Sequence, residues 1–125
     1  MSLCGIARDH NKLREVFNEV QYYGNEINED SLISIPGKGE QAVVIIPYKD
    51  ETKKELLIFK KILSSWILTD RALINCNVKS IFLSNNEKTM TVSCLLNGEN
   101  VVVKFEQING KWVKFDSFID RRNRQ

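Results

Sequence analysis

The sequence predicts an α+β domain: an N-terminal helix, a short β-hairpin, a long helix, then a four-stranded antiparallel meander curved over the helices. Three observations carry this reading. Residues 89–96 alternate strictly, with Met90, Val92, Cys94 and Leu96 on one face and Thr89, Thr91 and Ser93 on the other, the mark of a half-buried strand. Asn97-Gly98 follows, the pair best suited to the positive φ angles of a two-residue hairpin turn. Upstream, apolar residues recur at helical spacing in two places, residues 13–23 and 56–67.

The first helix follows from Leu13, Val16, Phe17 and Val20, which share one face, with Tyr23 extending the stripe. Asp9 is positioned as its N-cap and Gly24 as its stop. Polar residues 25–30 form a loop. Leu32, Ile33 and Ile35, then Ala42 to Ile46, are β-branched runs separated by Pro36-Gly37-Lys38-Gly39-Glu40, which reads as a hairpin or a pair of neighbouring strands. Gly37-Lys38-Gly39 lacks the length, the closing Lys-Ser/Thr and the following helix of a phosphate-binding loop, so it is a plain turn.

Thr52-Lys53-Lys54-Glu55 has the form of a capping box. After it Leu56, Phe59, Leu63 and Trp66, flanked by Ile62 and Ile67, fall at helical spacing. This predicts the long helix, with Lys53, Lys54, Lys60 and Lys61 as its solvated side.

In the meander, Ile74, Cys76 and Val78 alternate in one phase and Ile81 and Leu83 in the other, so a β-bulge is expected near Lys79-Ser80. The Asn97-Gly98 register sets Cys94 against Val101, Val92 against Val103 and Met90 against Phe105. A slip of one residue would break every match. With the bulge, Val78 lies opposite Cys94 and Cys76 opposite Leu96, which places both cysteines inward as small hydrophobes and not as a disulfide pair. At the last turn, a three-residue loop around Asn109-Gly110 sets Phe105 against Phe115, Glu106 against Lys114 and Lys104 against Asp116, pairings worth roughly 0.2–1 kcal/mol each. Arg121, Arg122 and Arg124 close the chain as a basic tail.

Composition narrows the functional classes. The 125 residues suit one domain, with residues 1–8 as an arm and 119–125 as a tail. A net charge of +2 is too small to argue for nucleic acid or an anionic membrane. No apolar run is long enough to span a bilayer, and no signal peptide is visible. Cys4, Cys76 and Cys94 are an odd count at wide spacings; with His10 the sole histidine they make neither a disulfide framework nor a zinc site. No cofactor is expected. A reducing, cytoplasmic setting follows, unless Cys4 is the lipid-bearing start of a lipoprotein cut from a longer precursor.

Helix, two short strands, long helix and four strands, closed by Asn109-Gly110-Lys111-Trp112-Val113-Lys114-Phe115-Asp116-Ser117-Phe118, resemble nuclear transport factor 2-like (cystatin-like) domains, many of which end in such a strand. The order covers nearly the whole chain. The family's usual second short helix has scant room in residues 25–30. Profilin-like and roadblock-like folds share the early order but finish on a helix, where this chain finishes on a strand. The resemblance implies a curved sheet forming a cone, lined by Phe17, Tyr22, Tyr23, Trp66, Met90 and Phe105. It implies an enzyme where the cone is deep and holds an acid, a histidine or a tyrosine. Where the cone is filled it implies a binding, dimerisation or immunity module.

The inward set is Ile74, Cys76, Val78, Ile81, Leu83, Met90, Val92, Cys94, Leu96, Val101, Val103, Phe105, Val113 and Phe115. It contains no Asp, Glu or His to serve as a proton carrier. A non-catalytic interaction module is therefore expected, binding a protein partner or a second copy through the meander's outer face. Leu95, Val102, Trp112 and Phe118 stand there among polar residues. An immunity or antitoxin-type inhibitor and the soluble, small-molecule-binding part of a lipoprotein or secretion assembly are the alternatives, with a cone-fold enzyme behind them.

Overall fold

The computed structural model describes residues 10–21, 27–28, 31–48 and 53–121. One helix and eight strands occur among them. They are α1 (His10–Val20), β1 (Leu32–Ser34), β2 (Gln41–Pro47), β3 (Lys54–Ile62), β4 (Ser65–Ile74), β5 (Asn77–Leu83), β6 (Thr89–Leu96), β7 (Glu99–Ile108) and β8 (Lys111–Ile119). The strands form two four-stranded antiparallel meanders, β1-β2-β3-β4 and β5-β6-β7-β8. The fold is mostly β. The expected α+β arrangement and the cone of a nuclear transport factor 2-like domain are both overturned, because the long second helix is a β-hairpin.

The reason lies in burial. Leu56, Leu57, Ile58 and Phe59 are all buried, as are Ala42 to Ile46 on the neighbouring strand. Strands covered on both faces lose the alternation that identifies them and read as continuous apolar runs. Leu56 and Ile58 join Val43 and Ile45 against the second sheet. Leu57 and Phe59 join Ala42, Val44, Ile46 and Trp66 against Leu13, Val16, Phe17 and Val20 of α1. The order of layers is therefore helix, first sheet, second sheet, with a separate apolar core on each side of the first sheet. Glu55, placed by sequence in a capping box, lies in β3 with its carboxylate 3.5 Å from the Arg71 guanidinium. Asp9, Thr52, Tyr22, Tyr23 and Gly24 lie outside the described residues, as do residues 1–8 and 122–125.

Elsewhere sequence and structure agree more closely. Leu32↔Ile45 and Ile33↔Val44 pair as antiparallel neighbours. The β6–β7 hairpin has the register expected from Asn97-Gly98, with Met90↔Phe105, Val92↔Val103 and Cys94↔Val101. Val78↔Cys94 and Ser80↔Ser93 leave Lys79 as the extra residue of a bulge. Of the described residues, no helix is long and apolar enough to cross a membrane.

Cys76 and Cys94 do point inward, but they are joined in a disulfide with Cα atoms 5.7 Å apart. Cys76 lies in the two-residue crossover between the sheets, so the bond fastens that crossover to the second strand of the second sheet. The expectation of two reduced cysteines fails because the crossover carries Cys76 to within bridging distance of Cys94 on β6.

A second tie joins the sheets at their turns. Glu87, between β5 and β6, accepts hydrogen bonds from the Lys38 amide (2.9 Å) and the Gln41 side-chain amide (3.1 Å). The Lys38 bond, chiefly, holds the Glu87 carboxyl below the usual carboxylate range. A depressed folded value means the contribution is present above the unfolded value and lost as pH falls through the folded one. Glu87→Gln is expected to flatten the acid limb of the stability–pH curve, read by urea unfolding at stepped pH. Gly37→Ala should have a similar effect, since its added Cβ would lie 2.7 Å from Glu87 Oε2 at a φ of +67°.

Candidate interaction surface

The second sheet is covered on one face only. Its inner face closes the larger core. Among the described residues nothing packs on its outer face. Cross-strand pairs run across that face in rows: Phe82, Thr91, Lys104 and Asp116; then Ser80, Ser93, Val102 and Phe118. Phe82 is 56 % exposed and Phe118 41 %. Val102 is buried to 6 % although it faces outward. Along the β8 side runs a shallow groove of about 660 Å³ lined by Thr91, Ser93, Lys104, Phe118 and Arg121, among others. The Lys104 ammonium stands 6.0 Å from the centre of the Phe118 ring.

Of the expected surface residues, Val102 and Phe118 stand side by side here, and Leu95 lies one row along, paired with Asn77 and Asn100. Trp112 does not belong with them. It is 6 % exposed and sits in the core between the sheets. The cause is the last turn. Asn109-Gly110 forms a two-residue loop, with Ile108↔Lys111 and Gln107↔Trp112, and not a three-residue one. One residue of register reverses every side chain, so Trp112 points inward and Val113, expected inside, is 44 % exposed. The expected Lys104↔Asp116 pair nevertheless forms, because a bulge at Phe115 restores the original phase; Phe105 faces Lys114, and Phe115 is exposed.

The inward turn of Trp112 is locked by Asp70. Strand β4 carries its own bulge at Thr69, between the pairs Phe59↔Leu68 and Ile58↔Asp70. The Asp70 carboxylate, 9 % exposed, accepts from the Trp112 amide (2.6 Å) and the Arg71 amide (2.8 Å), with Lys111 Nζ at 3.9 Å. Nearby edge amides are closed the same way: Trp66 donates to Glu19 (3.1 Å) and Ser117 to Asp116 (2.9 Å). Carboxylates on the outward amides of edge strands leave few donors for an incoming strand. The β4 and β8 side of the sandwich is thus protected against strand addition.

The four described residues proposed to line one cone fall instead into two separate cores. Phe17 and Trp66 lie in the core under the helix, Met90 and Phe105 in the core between the sheets, and Tyr22 and Tyr23 lie outside the described residues. Among the described residues no group of three or more His, Cys, Asp or Glu is placed to hold a metal ion. No known family model, curated protein or solved structure matches this chain.

Proposed function

We propose that this chain is a non-catalytic protein-interaction module that docks through the outer face of its second sheet, with a second copy of itself as the partner. The observation that carries the reading is that, among the described residues, the first sheet is covered on both faces and the second on one, and the open face carries the exposed Phe82 and Phe118 beside Val102. The same face holds both signs of charge, Lys104 and Arg121 against Glu106 and Asp116. That balance suits a twofold contact, in which each patch meets its own copy. Both cores are filled by apolar side chains, a further reason to place binding ahead of catalysis.

The test is sedimentation velocity on the wild type and on Phe118→Asp. The wild type is expected to sediment as a dimer. The variant, carrying a charge where 41 % of a phenylalanine is exposed, is expected to dissociate at least about tenfold more readily while keeping its circular dichroism spectrum and a cooperative melt whose midpoint no longer depends on concentration. A monomeric wild type at high concentration contradicts the reading.

The disulfide supports one refinement. A buried Cys76–Cys94 bond is characteristic of oxidising compartments and rare in the cytosol. It favours the soluble part of an extracytoplasmic or secretion assembly over the cytoplasmic setting expected from the cysteine count.

A further inference from the structure

The turn joining β3 to β4 is two residues long, Leu63-Ser64, with φ of 50° and 70°. Positive φ at both positions is the geometry that best suits the twist of a hairpin. The other two-residue hairpin turns among the described residues are built from Asn97-Gly98 and Asn109-Gly110, the residues adapted to it. Leucine is not: its Cβ crowds the backbone in the left-handed region. Leu63 is also 94 % exposed, so it meets a conformational and a hydration cost that asparagine would avoid. Strain kept at a surface position points to function.

The neighbours extend the apolar character. Ile62↔Ser65 and Lys60↔Ile67 are cross-strand pairs on one face of the hairpin, and Ile62 and Ile67 are both exposed. The last β2–β3 pair is Gln41↔Lys60, and the Lys61 amide still donates to the Glu40 carbonyl (2.8 Å), so Ile62 and the turn overhang the neighbouring strand by one residue, about 3 Å. Three aliphatic side chains on a projection fall well short of the roughly 800 Å² that each partner brings to a standard protein interface. They do suit entry into the boundary between lipid headgroups and acyl chains. Charge near the tip is close to balanced. Lys61 is bonded to Glu15 at 3.0 Å, Glu87 accepts from the Lys38 amide, and Lys60 and Glu40 are both exposed. Apolar side chains therefore lead the contact.

We infer that the β3–β4 tip is a membrane-surface anchor, inserting Leu63 with Ile62 and Ile67 into the interfacial layer of a phospholipid bilayer. The test is flotation of the full chain with sonicated phosphatidylcholine vesicles. The wild type is expected to float with the lipid. Leu63→Asn is expected to partition about tenfold more weakly while unfolding at a higher temperature, because it relieves the turn. Leu63→Trp should keep binding and shift its emission to the blue on adding vesicles. Phe118→Asp should float like the wild type, which separates this site from the dimer face. A wild type that stays with the aqueous phase, or a Leu63→Asn variant that floats equally well, overturns the inference; in the first case the tip serves a protein contact or none.

Discussion

Trp112→Glu is expected to abolish cooperative folding, not merely association. The indole is buried between the sheets, so the substitution removes a large side chain, worth about 3–5 kcal/mol on truncation. It also places a carboxylate in an apolar core. Together these rival the whole stability of a typical domain, about 5–15 kcal/mol. Val113→Glu, one position on, is expected to change stability by no more than about 0.5 kcal/mol, since that side chain already faces solvent. Circular dichroism melts of the two variants read the register of β8 directly. A folded Trp112→Glu beside an unfolded Val113→Glu would mean that the strand carries its side chains the other way round.

Breaking the disulfide is expected to have the next largest effect. Cys76 and Cys94 are 18 residues apart, and closing a loop of that size is worth about 3 kcal/mol in the chain-entropy account. Cys76→Ala paired with Cys94→Ala should therefore lower the melting temperature by about 10 °C, and reductant should do the same to the wild type. The bond holds the crossover between the sheets, so the loss is expected to appear first in amide exchange of β5. Equal melting of oxidised and reduced protein would show that the bond carries no load in the fold.

How far the sequence could be read depended on what each strand touches. The β6–β7 hairpin and the Lys79 bulge were legible because one face of each strand meets the core and the other meets water, and because Asn97-Gly98 fixes the register. The β3–β4 hairpin was not legible. Leu56, Phe59, Leu63 and Trp66 match a helical stripe by coincidence: β3 buries both faces over Leu56 to Phe59, Leu63 lies in the exposed turn, and Leu63-Ser64 carries none of the usual turn chemistry. The final strand shows a subtler failure. Charge pairing at Lys104 and turn chemistry at Asn109-Gly110 demand different phases. A longer loop would reconcile them, but the chain does so with a bulge at Phe115, after Trp112 has already turned inward. The candidate surface was thus half legible: Val102, Phe118 and Leu95 belong to it, Trp112 does not, and Phe82 was missed because it alternates with the core residues Ile81 and Leu83.

In the proposed dimer the outer face of the second sheet meets its own copy. Lys104 and Asp116 are neighbours within one chain, so a cross-link between them is informative only if the two copies can be told apart. Equal amounts of ¹⁵N-labelled and unlabelled protein, mixed and treated with a zero-length carbodiimide, make that distinction by mass. Linked peptides of mixed isotope that join the Lys104 segment of one copy to the Glu106 or Asp116 segment of the other are the expected result. Links confined to single copies, or mixed links that map to the β4 and β8 edges instead of this face, would contradict it.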